Sequence, residues 1–326
     1  MTHSSPPVLA EVWRGPYLEA LHHGSVVVTA PDGTTRLTLG CVDAPTLPRS
    51  ALKPLQAVAM LRAGLDVDGA ELALVGASHS GEDFHVAAVA SILAGSGLTA
   101  DALQTTPGLP FGRDAATDWI RSGRGPEPIS HNCSGKHAGM LRTCVRAGWP
   151  LKNYRDASHP LQLATRSVLS ELTGDEVGEP VIDGCGAPAF AVTLTGLARA
   201  FGRLAASPRG DLKTVADAFR RFPEYASGSG RDEVFFHREV AGLVCKLGAE
   251  GAFAVGLPDG TGIALKVTDG SQRGIAQALV AVLQRLGLGS PSMASFDPNP
   301  VLGHGAVVGR VSASATLLEA LNDLPD

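Results

Sequence analysis

The 326-residue sequence has no apolar run approaching the ~18 uninterrupted residues that would suggest a membrane span, because Gly, Arg or Asp breaks each one. No membrane partner is expected. Clusters of Lys and Arg interleaved with aromatics are also missing, and the formal net charge of −5 offers polyphosphate no attraction. Nucleic acid is therefore not expected as a partner either. The segment Met1 to Pro7 has neither a basic start nor an apolar core of signal-peptide length, so the expected location is cytoplasmic. The five cysteines, Cys41, Cys133, Cys144, Cys185 and Cys245, are an odd and scattered set, a poor disulfide framework. Any grouping among them has to mean packing, metal ligation or catalysis. Finally, His22, His23, His85, His159, His237 and His304 show no ligand spacing, and nothing suggests a Ser-His-Asp triad.

What is present suits an enzyme-sized globular body. Hydrophobic content is 44% and charged content 18%, and a length of this order allows one catalytic domain over 1–326 or two lobes, at ~100–200 residues per domain. Residues 24–30 and 34–40 flank Pro31-Asp32-Gly33 and predict a β-hairpin. From Ser50 the spacing of Leu52, Leu55, Ala59 and Ala63 predicts a helix that stops at Gly64, with Pro54 in its first turn. Glu71 to Ala77 reads as a buried strand leading into Ser78-His79-Ser80, and Asp83 to Leu93 as a helix. Leu98 to Pro128 reads as a long excursion over the surface and the site. Further helices are expected at 136–147, 159–172, 189–206, 212–222 and 275–286, and a second hairpin joins 252–255 to 263–267. Strands at both ends with helices between them give an α+β fold with mostly antiparallel pairing.

Four constellations carry chemistry. In Ser50-Ala51-Leu52-Lys53 the serine and lysine are three apart on one helical face. A lysine freed of its proton by burial or a neighbouring cation can activate that serine; a serine at a helix start is equally an ordinary N-cap. Ser78-His79-Ser80 and Lys246-Leu247-Gly248 follow, the latter a lysine in an apolar segment that needs a partner if buried. The order S-x-x-K, S-x-S, K-x-G parallels the S-x-x-K, S-D-N, K-T-G of serine β-lactamases and penicillin-binding proteins. It suggests two serine–lysine tandems around one pocket, Ser50 with Lys53 and Ser78 with Lys246. Last come the loops Asn132-Cys133-Ser134-Gly135-Lys136-His137 and Asp183-Gly184-Cys185-Gly186. Cysteines in such polar, Gly-flanked settings suit either a shared site or two small core residues, and neither loop has zinc-finger spacing.

Together these motifs resemble the L-asparaginase II family, the rhizobial-type asparaginases. The resemblance rests on Arg14-Gly15 with Glu19 and His22, on 49–54 (RSALKP), 77–82 (ASHSGE), 132–141 (NCSGKHAGML), 183–188 (DGCGAP), 246–251 (KLGAEG) and 286–291 (LGLGSP). It implies hydrolysis of L-asparagine to L-aspartate and ammonia by a homodimer with a serine β-lactamase-like fold. By motif the catalytic tandems fall on Ser50 with Lys53 and Ser78 with Lys246, and zinc on Cys133, Lys136 and Cys185, where it positions substrate and does not hydrolyse. Asp183 lies beside that position as a counter-ion for the substrate ammonium, Cys133 and Cys185 help to place the substrate, and Arg49 is a candidate for the carboxylate. Glutaminase, β-lactamase-like hydrolase and a non-enzymatic amino-acid sensor are the competing readings, one extra methylene separating glutamine from asparagine by only about 1–3 kcal/mol.

Overall fold

A computed structural model of the chain describes residues 5–324; the reading of the leader at Met1 to Pro7 falls partly outside them. Seven strands form the main sheet, and every neighbouring pair is antiparallel. They are β1 (Val8–Arg14), β2 (Tyr17–Thr29), β3 (Thr35–Leu39), β4 (Val244–Leu247), β5 (Ala252–Gly256), β6 (Gly262–Val267) and β7 (Gly309–Ala313). Their order is β7-β1-β2-β6-β5-β4, with β3 also on β2. The long β2 pairs with β1 along its first half, then between Gly24 and Thr29 with β6, while β3 takes its other edge. Both hairpins expected from the sequence are there.

Alternation along the strands sends side chains into two cores. Val27, Val244, Ala254 and Ala264 face a layer of helices built from the middle of the chain. Val26, Val28, Phe253, Val255, Ile263 and Leu265 face the terminal helices. The middle layer holds α1 (Lys53–Arg62), α2 (Gly69–Val75), α3 (Asp83–Ala94), α4 (Arg113–Arg121), α5 (Ser134–Ala147), α6 (Pro160–Thr173), α7 (Leu194–Ala206) and α8 (Gly210–Arg221); α9 (Asp232–Glu239), α10 (Ile275–Arg285) and α11 (Ala315–Asn322) follow. Helix α1 is buried on all sides from Lys53 to Met60, which its nearly uniform apolar surface permits. Helix α7 lies directly on the sheet. A Cβ at Gly256 or Gly262 would fall 1.9 or 2.0 Å from the carbonyls of Phe201 or Ala198, so only glycine lets the helix approach this closely.

Three expectations differ from the structure. The apolar run at 71–77 is not a strand: Gly69–Val75 is helical, and Ala77 to Ser80 connects two helices. A short apolar run has no period that separates buried strand from buried helix, and Glu, Leu and Ala favour the helix. The excursion at 98–128 contains helix α4, which buries Trp119. Helix α7 begins at Leu194 and not near 189, because the Thr193 hydroxyl accepts from the Gly196 N–H at 2.8 Å and caps it there, while Pro188–Ala189 pairs with Val181–Ile182 in a short ladder. No helix among the described residues is long and apolar enough to cross a membrane.

Candidate active site

Chain geometry at the head of α1 delivers Ser50 and Lys53. Residues Arg49–Leu52 form a 3-10 turn that runs straight into α1, with Pro54 in the first turn. Arg49 takes a left-handed backbone (φ 53), a conformation that costs a non-glycine residue of order 1–3 kcal/mol and is tolerated where surrounding contacts fix it. Those contacts are bonds from its Nε (2.7 Å) and a terminal nitrogen (2.5 Å) to Asp183 Oδ1. The strand β4 passes this turn so closely that a Cβ at Gly248 would lie 2.2 Å from the Pro48 carbonyl. The glycine of Lys246-Leu247-Gly248 therefore has a mechanical reason: it seats the strand against the turn that carries Ser50.

Lys53 is 2% exposed. Its ammonium donates to the Ala77 carbonyl (2.6 Å), Ser78 Oγ (2.8 Å) and Cys133 Sγ (3.2 Å). All three donors are spent on other segments, which is why no hydrogen bond joins Lys53 to Ser50 among the described residues. Burial pushes its pKa down, Cys133 opposing this and Lys136 and Lys246 reinforcing it. Lys246, 1% exposed, donates to Glu233 Oε1 (2.9 Å) and the Leu247 carbonyl (2.8 Å). Glu233 is buried as well, yet Lys246 and Arg231 overcome the effect of burial and hold its carboxyl down to about 2. The contacts thus link Lys53 to Ser78 and Lys246 to Glu233, rather than forming the two tandems within which the motifs suggested proton transfer.

Ser50 and Ser78 nonetheless meet, as walls of one cleft of about 190 Å³ whose other walls include Phe111, Asn132, Arg231, Gly248 and Glu250. Larger surface grooves elsewhere, such as the one between Arg36 and Leu288, hold no comparable chemistry. Beside Lys53 lie the two sulfurs. The Cys133 thiol donates to Asn132 Oδ1 at 3.4 Å, and the proximity of the two sulfurs holds Cys185 well below the usual thiol range and Cys133 above it. Lys136 Nζ contacts Cys185 Sγ at 3.3 Å; burial opposes its charge, but Cys185, Cys133 and Asp183 raise its pKa on balance. The ladder Val181–Ile182 with Pro188–Ala189 pinches the Asp183 loop, and the Asp183 N–H bonds the Ala187 carbonyl at 2.9 Å, so that Cys185 is buried in a tight turn. His137 bonds Tyr154 through Nδ1 (2.7 Å), while its buried Nε2 has no hydrogen-bond partner. His79 bonds Ser134 at 2.9 Å and stacks on His85, and burial drives its pKa far down.

Sequence reasoning found both serines, three lysines and both cysteines of this neighbourhood but missed Phe111, Arg231, Glu233 and Glu250. A partner for a buried Lys246 was required on physical grounds. Its identity lay thirteen residues upstream, across a helix-to-strand connection with no motif of its own.

An antiparallel sheet carrying a helical layer, with Ser50 at the head of a buried helix and Ser78 after a second helix lining one cleft, is the layout of the serine β-lactamase-like fold. Within that class the chain belongs to the L-asparaginase II family, whose model matches residues 10–313, and it is an amidohydrolase. None of the curated proteins matches it. Similar solved structures include Mglu in its glutamate form (14% identity, 84% of this chain and 62% of that one covered, TM-score 0.47). Others are a probable glutaminase from Bacillus subtilis (12%, 82% and 84%, 0.45) and a putative β-lactamase from Bacteroides dorei (15%, 75% and 84%, 0.41). The chain spans 59–69% of the length of the Mglu structures. At these identities and scores the family match, not the likenesses, carries the classification.

Proposed function

We propose that the chain hydrolyses the side-chain amide of L-asparagine to L-aspartate and ammonia through a serine acyl-enzyme. The observation that carries this reading is the 2.8 Å contact between buried Lys53 and Ser78 at a cleft that Ser50 also lines. In its neutral form Lys53 takes the Ser50 proton by way of Ser78, the hydroxyl it contacts, as Ser50 Oγ bonds to the amide carbon. The tetrahedral adduct collapses, the C–N bond breaks, and Ser78, resupplied by Lys53, gives a proton to the departing nitrogen. Water then attacks the ester, releasing L-aspartate and restoring Ser50. The backbone N–H at the head of the 3-10 turn is the natural donor to the oxyanion.

The direct Lys53–Ser78 contact favours a second reading in which Ser78 attacks and Ser50 relays the proton. Mass-spectrometric trapping of the acyl-enzyme, followed by peptide mapping, separates the two. Ammonia release from L-asparagine and L-glutamine side by side tests the substrate, and the expected outcome is a preference for asparagine. Equal rates would overturn it, and nitrocefin turnover would move the chain to the β-lactamase side.

Zinc at Cys133, Lys136 and Cys185 belongs to the same proposal. The two buried sulfurs are soft donors of the kind zinc accepts. No group of three His, Cys, Asp or Glu side chains among the described residues could hold a metal; the third ligand that the family motif implies, Lys136, would have to give up its proton to bind, and the unpartnered His137 Nε2 lies nearby. When bound, the ion would supply a positive anchor for the substrate. Chelation is expected to raise KM more than it lowers kcat, and an unchanged KM would remove the metal from the proposal. Homodimeric assembly, one catalytic unit per chain and a cytoplasmic setting complete it; light scattering of the purified protein tests the first.

A further inference from the structure

We propose that Arg231 and Glu250 are the substrate-binding residues that clamp the α-carboxylate and α-ammonium of an amino-acid amide. The inference rests on the amidohydrolase reading above and adds what selects the substrate. Arg49 and Asp183, the charged pair that the motifs point to, bond each other directly, whereas Arg231 stands 3.6 Å from Glu233, a carboxylate already bonded to Lys246. Among the residues lining the cleft, the charged side chains are Arg231 and Glu250, one of each sign. That is the complement of a zwitterion, and the serines on the same walls leave the neutral side-chain amide where a nucleophile can reach it.

Both residues are held in place. The Arg231 guanidinium lies over the Phe111 ring, 4.8 Å from its centroid, and its Nε is 3.6 Å from Glu233 Oε2. Glu233 Oε1 in turn bonds Lys246, so one buried carboxylate orients both the cleft arginine and the strand lysine. A carboxylate bound at Arg231 would be read through that bridge. Glu250 sits in a left-handed backbone (φ 55), followed by Gly251 at φ 65, in the tight turn between β4 and β5. Its Oε2 lies against the turn at Gly270, whose φ of 78 itself calls for glycine. Arg49 and Lys266 are within its electrostatic reach. A left-handed non-glycine residue on the wall of a cleft is the kind of strained position that clusters at ligand clamps.

The test is calorimetric titration of the full chain with L-aspartate, alongside ammonia release from three amides. L-Asparagine carries both α-groups, succinamate lacks the ammonium, and 3-aminopropanamide lacks the carboxylate. Arg231→Leu is expected to weaken L-aspartate binding by about tenfold or more, with partial recovery in Arg231→Lys. It should raise KM for asparagine and succinamate with little change in kcat, and leave 3-aminopropanamide unaffected. Glu250→Gln should show the opposite selectivity, penalising asparagine and 3-aminopropanamide but not succinamate. Losses by one common factor on all three amides, unchanged L-aspartate affinity, or failure of the wild-type protein to bind any α-amino acid would overturn the clamp. Binding that depends on Arg231 without ammonia release from asparagine would instead overturn the asparaginase reading and leave the clamp standing.

Discussion

Two lysines of the same site are equally buried and oppositely provided for. Lys53 faces a carbonyl, a hydroxyl and a sulfur, and no carboxylate bonds it. Lys246 faces Glu233, ionised and as buried as itself. An ammonium without a counter-ion is costly in a low-dielectric interior, whereas a paired one is tolerated. The same residue type is thus prepared for two duties, the first as a proton acceptor and the second as a fixed positive charge.

The strongest way to break the contrast is Lys53→Met, expected to lower turnover by about 10³-fold while the fold persists; steady-state ammonia release with a circular dichroism control checks it, and near-normal activity would end the base assignment. Glu233→Gln should destabilise the protein by about 3 kcal/mol in denaturant titration, because it leaves Lys246 buried beside no anion. Replacing both members, as Glu233→Leu with Lys246→Met, should recover much of that stability but not the activity, a separation expected only if the pair is kept for chemistry. Gly248→Ala comes next. Its methyl would meet the Pro48 carbonyl at 2.2 Å, so a loss of about 2–3 kcal/mol is expected, with turnover falling as the strand and the Ser50 turn are pushed apart.

The smallest effect is a pH slope. His237 lies against the same pair: its Nδ1 donates to the Glu233 carbonyl (2.7 Å) and its Nε2 accepts from the Cys245 N–H (3.4 Å), so the neutral ring is satisfied. Burial pushes its pKa from 6.5 to about 4, the Glu233 contacts opposing this. The unfolded chain therefore binds a proton between these values that the folded chain refuses. This contribution to stability is present above pH 6.5 and lost as pH falls towards 4, by about 1–2 kcal/mol between pH 7 and 5. His237→Gln should flatten the Tm–pH profile across that window. A parallel profile would mean that other groups set the slope.

Much of this was legible from residue order. Turn chemistry at Pro31-Asp32-Gly33 and at 258–262 announced the hairpins, and the spacing after Ser50 announced α1, because both are local signals. Helix α2 was not, since a short, mostly apolar run fits a buried strand as well as a buried helix. In the site, the motifs named the lysines but not their partners. Lys53 is three residues from Ser50 yet bonds residues 24, 25 and 80 positions away. Partner choice is settled by tertiary packing, on which i, i+3 spacing is silent.

Helix α1 is enclosed on every side, and Gly248 locks the strand to its head. The chemistry is therefore built on parts that can change little without collapse. Phe111, Arg231 and Glu250 stand on connecting segments, where substitution is tolerated. Divergence of this scaffold towards new amides, whether natural or in the laboratory, has an open route at the rim and almost none at the reacting centre.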